Sequence, residues 1–133
     1  LIVLDASAAI DLILRRGSAK FVERHLREAN AAAPELIDVE VLAVLRRKAI
    51  RHEITAAGAK QALNAFSDLP LARYEARPLL PRAWELRHNL SAADALYVAL
   101  AEGLHAPWLT IDGSAARAAR EHTSIDVLNP DAA

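Results

Sequence analysis

The stretch LIVLDASAAIDLIL (Leu1–Leu14) decides how the rest of the chain is read. LIVL is a continuous apolar run, long enough for a strand and too short for a helix. Such runs mark parallel strands that are covered on both faces. The run ends on a carboxylate, Asp5, and a small-residue helix is expected at once over Ala6–Leu14. An acid at that junction either caps the helix or belongs to a site.

Working outward, RRG (Arg15–Gly17) stops the first helix. Ser18 is expected to cap a second one that reaches about Ala29, with Phe21, Val22 and Leu26 as its inner stripe. AAAP (Ala31–Pro34) reads as a strand despite the poor strand propensity of alanine. A long helix over Leu36–His52 follows, then one capped by Thr55 and ending near Ser67. LARYEA (Leu71–Ala76) reads as a strand, and Pro78 suits the first turn of a helix to about His88. Ser91 opens another helix, with Gly103 expected just past its last turn. PWLTID (Pro107–Asp112) is a second apolar run into an aspartate. Ser114–His122 is a small helix and IDVL (Ile125–Leu128) a last strand. This alternation predicts an α/β fold of three layers, a mainly parallel sheet of four or five strands with helices on both faces and right-handed crossovers. The 133 residues are the length of one domain, and without repeat or linker a single domain over 1–133 is expected.

Composition narrows the function. Apolar residues make up 53% and charged residues 25%, as in soluble globular proteins. With no cysteine, disulfides and thiolate metal sites are excluded. The apolar runs are too short to span a membrane, and Asp5 and Asp11 interrupt any resemblance to a signal sequence. A cytoplasmic protein is expected. The net charge of -1 gives no general affinity for nucleic acid, so a nucleic-acid partner would have to be held by local arginines or by bound cations. The five histidines show no ligand spacing, and no phosphate-binding glycine loop, nucleophile elbow or EF-hand loop is present.

Four acids stand out. Asp5 and Asp112 each end an apolar strand, at the carboxyl edge where open α/β sheets bind ligands. Glu40 lies on the long helix with Leu36, Ile37, Ala43 and Val44 at its i±3 and i±4 positions, so no intrahelical ion pair is open to it. Asp94 lies in the first turn of an otherwise apolar helix. Each has a structural explanation: Asp5 and Asp112 as caps, Asp94 as the capping-box partner of Ser91, Glu40 in a salt bridge. Together they form a different pattern. Four converging carboxylates repel one another, and a divalent cation removes that cost. All-oxygen ligation suits Mg²⁺, with Mn²⁺ as a substitute, and metal-activated water attacking a phosphodiester is the chemistry that follows.

Four segments, in this order and spacing, give the chain a resemblance over nearly its whole length: LIVLDASAAID, PELIDVEVLAVLRR, HNLSAADALYVALAEG and PWLTIDGSAARAA. It resembles the PIN-domain ribonucleases, specifically the VapC-type toxins of type II toxin–antitoxin pairs. The resemblance implies a Mg²⁺-dependent endoribonuclease with Asp5, Glu40, Asp94 and Asp112 as its catalytic and metal-binding acids. It places Ser7 where a small polar residue often lies near the metal. After Asp112 the chain reads GSAAR where relatives often carry another acid or an arginine, and Arg117 is the candidate for a substrate-binding arginine. It also implies RNA cleavage leaving a 5′-phosphate, a homodimer, and a VapB-type antitoxin whose C-terminal segment lies in a groove and blocks the site.

The basic residues Arg15, Arg16 and Lys20, and Arg46, Arg47, Lys48 and Arg51, either steer RNA phosphates or are solvated helix ends. Trp84, Tyr97 and Trp108 are expected to fill the core, with base stacking as the alternative. Two other functions are possible for such a fold. In one the acids only dock basic residues of a partner protein, without catalysis. The other, a phospho-acceptor receiver, lacks an aspartate closing LARYEA and a lysine after the last strand.

Overall fold

A computed structural model describes residues 1–131. Ala132 and Ala133, the end of the expected single domain, lie outside the described residues. The apolar run Ile2–Leu4 forms β1, followed by α1 (Ala6–Leu14), α2 (Ala19–Glu28), β2 (Ala31–Pro34), α3 (Leu36–Ile50) and α4 (Ala56–Asp68). Then come β3 (Leu71–Tyr74), a 3₁₀ turn (Arg77–Leu79), α5 (Leu80–Glu85), α6 (Ala92–Leu104), β4 (Trp108–Leu109), α7 (Gly113–His122) and β5 (Val127–Leu128). The five strands make one sheet in the order β3-β2-β1-β4-β5, and every pairing is parallel.

Right-handed crossovers put the helices that lead leftward from β1, α1 to α4, on one face and those leading rightward, α5 to α7, on the other. The direction reverses between β1 and β4, so the carboxyl ends of these two strands flank the crevice of the fold. β1 is buried along its whole length, as its uninterrupted apolar sequence requires. Alanine serves β2 for a reason propensity does not capture. Ala31, Ala32 and Ala33 are all buried, and their small side chains let α6 pack close to the sheet. Along α6 the buried residues are Ala95, Tyr97, Val98, Ala99, Leu100 and Ala101. Each large aliphatic chain buried in this way contributes roughly 1.5–3 kcal/mol.

Several expectations are corrected. Gly103 does not end α6; the helix runs to Leu104, which packs against the core, and His105 takes the left-handed cap at φ 51°. The third helix ends at Ile50, before His52 at φ 59°. Ser18 occupies the cap position of α2, but its side chain makes no capping bond. Instead its backbone N–H donates to Asp11 Oδ2 at 3.0 Å. Trp84 is not in the core: it is 66% exposed on α5, with the Arg87 guanidinium over its ring, 4.4 Å from the centroid. Tyr97 and Trp108 are fully buried. Among the described residues no helix is long and apolar enough to cross a membrane.

The turn after α1 is built around Asp11. Arg15 caps the helix at φ 53°, Arg16 Nε lies 3.6 Å from Asp11 Oδ1, and Gly17 follows at φ 53°. A Cβ on Gly17 would stand 2.7 Å from Asp11 Oδ2. Gly17→Ala is therefore expected to destabilise the protein by about 1–2 kcal/mol from the left-handed backbone alone. Urea denaturation measures this, and an unchanged midpoint would refute it.

Candidate active site

Asp5 lies at the junction of β1 and α1, with its backbone N–H bound to Leu109 O of β4 at 2.9 Å. It occupies the cap position of α1, yet its side chain makes no capping bond. Two hydroxyls donate to its Oδ2 instead, Ser7 Oγ at 2.5 Å and Thr110 Oγ1 at 2.9 Å. Each hydroxyl is itself oriented by a backbone N–H. Ile111 donates to Ser7 Oγ at 3.0 Å and Asp112 donates to Thr110 Oγ1 at 3.2 Å. The two strand-end acids are thus joined through Thr110. Sequence reading does not single out Thr110, because a threonine in a strand is ordinary.

Asp112 does cap its helix. Its Oδ1 accepts from Ser114 N at 3.0 Å and Ala115 N at 3.1 Å. Asp94 lies in the first turn of α6, where Ser91 Oγ accepts its backbone N–H at 3.1 Å. Glu40 is half-buried on α3, and Tyr97 Oη donates to its Oε1 at 2.7 Å. That bond takes the place of the salt bridge considered for Glu40. Asp38, on the same helix, pairs with Arg73 at 2.8 Å.

Asp5, Ser7, Glu40, Asp94 and Asp112 line one cleft of about 390 Å³. Asp11, Arg16, Arg47 and Lys48 line it too. A larger cavity, about 670 Å³, lies between the end of α1 and the α3–α4 turn, and it has no acid in its wall. Chemistry therefore picks out the smaller cleft. Arg117 is exposed and is not part of its lining; a guanidinium nitrogen lies instead 3.7 Å from where a Cβ on Gly113 would be. Arg15, Lys20, Arg46 and Arg51 are also absent from the lining.

Burial and mutual repulsion raise the carboxyl pKa values of Asp5, Glu40 and Asp94. The Asp5 carboxyl is pushed up to about 6, mainly by burial and further by Asp94 and Glu40, against the Ser7 and Thr110 hydrogen bonds. Glu40 is raised by burial and by Asp94, with the Tyr97 hydrogen bond opposing. Asp94 is raised by burial and by Asp112, with Ser91 opposing. The Tyr97 phenol is held far above its usual range by burial and then by Asp5 and Glu40, so it stays a donor.

The donor set suits a hard divalent cation, being carboxylates with hydroxyls behind them. No three acids of the described residues stand close enough to make a ready-made ligand cluster. The cleft thus fits an ion held by one or two carboxylates and keeping several waters, the habit of Mg²⁺.

An acid with a raised folded pKa favours the protonated folded state. Stability is greatest below the unfolded value, near 3.9, and is lost as pH rises through about 6. The difference is worth roughly 3 kcal/mol. In chelator, Asp5→Asn is therefore expected to exceed the parent in stability by a margin that opens between about pH 4 and pH 6 and then levels off. Thermal melts of both proteins across that range test it; parallel curves would refute it.

Comparison with known proteins follows the same geometry. The PIN domain family model matches residues 2–121. Ribonuclease VapC12 of Mycobacterium tuberculosis is 38% identical over 128 residues, covering 96% of this chain and 99% of the relative. Among solved structures, Mycobacterium tuberculosis VapC20, a sarcin-ricin-loop-cleaving toxin, superposes with a TM-score of 0.67 at 18% identity, covering 89% of this chain and 95% of that one. A toxin–antitoxin complex from Klebsiella pneumoniae superposes with a TM-score of 0.61 at 18% identity, covering 84% and 87%. With a matching family model over most of its length, a close VapC relative and the same α/β/α architecture, this chain belongs to the PIN-domain family and, within it, to the VapC proteins.

Proposed function

We propose that the protein is a Mg²⁺-dependent endoribonuclease and the toxin of a type II toxin–antitoxin pair, working at a site made by Asp5, Glu40, Asp94 and Asp112. The observation that carries this is the meeting of all four acids in one cleft at the β1/β4 switch point. The VapC12 relative, named a ribonuclease, supports the substrate class. Mn²⁺ is expected to substitute for Mg²⁺.

Asp5 and Asp94 would hold the cation, with Glu40 and Asp112 completing its surroundings. When bound, the ion supplies a more acidic water and offsets charge on the phosphate. The chain's own residues do the rest. Ser7 and Thr110 hold Asp5 by one oxygen, and no hydrogen bond among the described residues occupies Oδ1. Asp112 spends Oδ1 on its helix in the same way, with Oδ2 left over. Lys48 and Arg16 already lean on Glu53 and Asp11, at 3.3 and 3.6 Å, whereas Arg47 has no carboxylate within 4.0 Å among the described residues. Arg47 is thus the cleft's most available phosphate partner.

The same reading includes a VapB-type antitoxin, a homodimer and a cytoplasmic site of action. Exposed apolar side chains at Val39, Leu42, Leu80 and Trp84 are surface of the kind that protein partners cover. The docking-module alternative gains some support from the lack of a ready-made ligand cluster. Calorimetric titration separates the two: an enzyme site binds Mn²⁺, and a docking surface that only grips basic residues does not.

Asp5→Asn and Asp94→Ala are expected to reduce RNA cleavage at least 100-fold and to relieve growth inhibition while circular dichroism stays unchanged. Full activity in both variants would overturn the proposal. In an Asp94→Ala background, Arg47→Ala is expected to weaken RNA binding and to lower the slope of log affinity against log salt by about 1. An unaltered slope would remove Arg47 from the phosphate path.

A further inference from the structure

We propose that Tyr97 is a positioning residue that fixes the Glu40 carboxylate for cation binding. The inference rests on the cation-dependent function proposed above and assigns it one more residue.

The four acids are not equally secured. Asp5 is set by its strand and two hydroxyls, and Asp112 by two backbone N–H groups. Asp94 stands in the capped first turn of α6. Glu40 differs from them. It lies one turn inside α3, in the helical layer opposite α6, on the longer of the two acidic side chains. Its helical neighbours are apolar and offer it nothing. Among the described residues a single hydrogen bond reaches its carboxylate, from Tyr97 Oη to Oε1 at 2.7 Å. That bond joins the two helical layers at the edge where the acids meet, and it leaves Oε2 unengaged.

Tyr97 is built to stay where it is. Its side chain is fully buried on α6, three residues beyond Asp94. Its ring stacks on Trp108 of β4, with centroids 6.1 Å apart and planes inclined by 25°. The Trp108 indole N–H has no hydrogen-bond partner among the described residues, so what Trp108 offers there is its ring. A phenylalanine at position 97 would fill the same space without burying a hydroxyl. The hydroxyl meets a carboxylate, and partners that orient a ligand in this way commonly set 10- to 100-fold in metal affinity.

Calorimetric Mn²⁺ titration of the full chain tests this in the parent, Tyr97→Phe, Glu40→Gln and the double variant. Tyr97→Phe is expected to weaken Mn²⁺ binding about 10-fold, with the melting temperature in chelator little changed. In the Glu40→Gln background the same change should have no further effect, because Tyr97 acts through Glu40. Val98→Ala, a neighbouring core change on α6, controls for packing and should leave affinity within about twofold. Parental affinity in Tyr97→Phe, an equal further loss in the double variant, or an equal loss in Val98→Ala would each overturn the inference while leaving the cation site standing. A Glu40→Gln that binds Mn²⁺ fully would also overturn the inference, since Tyr97 acts only through Glu40, whereas a parent that binds no Mn²⁺ would overturn the cation site itself and the role of Tyr97 with it.

Discussion

Two hydroxyls donating to one oxygen of Asp5 are the interaction on which the rest of the site depends. A carboxylate that is only 7% exposed at the end of a buried strand is costly unless something solvates it. Ser7 and Thr110 do so in part, and each is fixed by a backbone N–H from the segment after β4. The parallel pairing of β1 with β4 therefore has to be in register before Asp5 is satisfied. Sheet topology and site chemistry are one constraint here. What the hydroxyls do not offset appears as the raised Asp5 pKa, a standing preference for positive charge in the cleft.

Much of this was legible in the residues. LIVL running into Asp5, and PWLTI into Asp112, point to two acids at the carboxyl edge of the sheet because continuous apolar runs have few other readings; β4 itself stops at Leu109, and Asp112 stands three residues on as the cap of α7. Glu40 stands out through its apolar helical neighbours, and Asp94 as an acid in the first turn of an otherwise apolar helix, although Ser91 offers it a capping role. What escaped notice did so for physical reasons. Thr110 looks like any strand threonine until its hydroxyl is seen to point at Asp5. Asp11 looks like a surface acid of an amphipathic helix, yet it organises a turn seven residues away through Ser18. Trp84 was expected inside because aromatic side chains bury large areas, but the short helix α5 turns it outward. Gly103 reads as a helix end, but the helix continues to Leu104, which packs half-buried against the core.

Charge in the cleft is divided between its lining residues rather than spread over the whole molecule. The net charge of -1 hides a local arrangement in which acids sit at the strand ends while Arg16, Arg47 and Lys48 stand around them. Such an arrangement binds a polyanion through short-range contacts, with little steering from a distance. With charge balanced in this local way, the net charge of -1 speaks neither for nor against a nucleic-acid partner.

The contrasting settings of the two tryptophans have an optical consequence. Trp84 faces solvent, whereas Trp108 is sealed in the core against Tyr97. Their fluorescence should therefore separate into a red, quencher-sensitive component and a blue, protected one. The protected emitter lies one ring away from the phenol that holds Glu40. Added iodide would silence Trp84 and leave a buried reporter stacked on the ring that holds Glu40, so that events at Glu40 could be followed in the natural sequence without an attached dye.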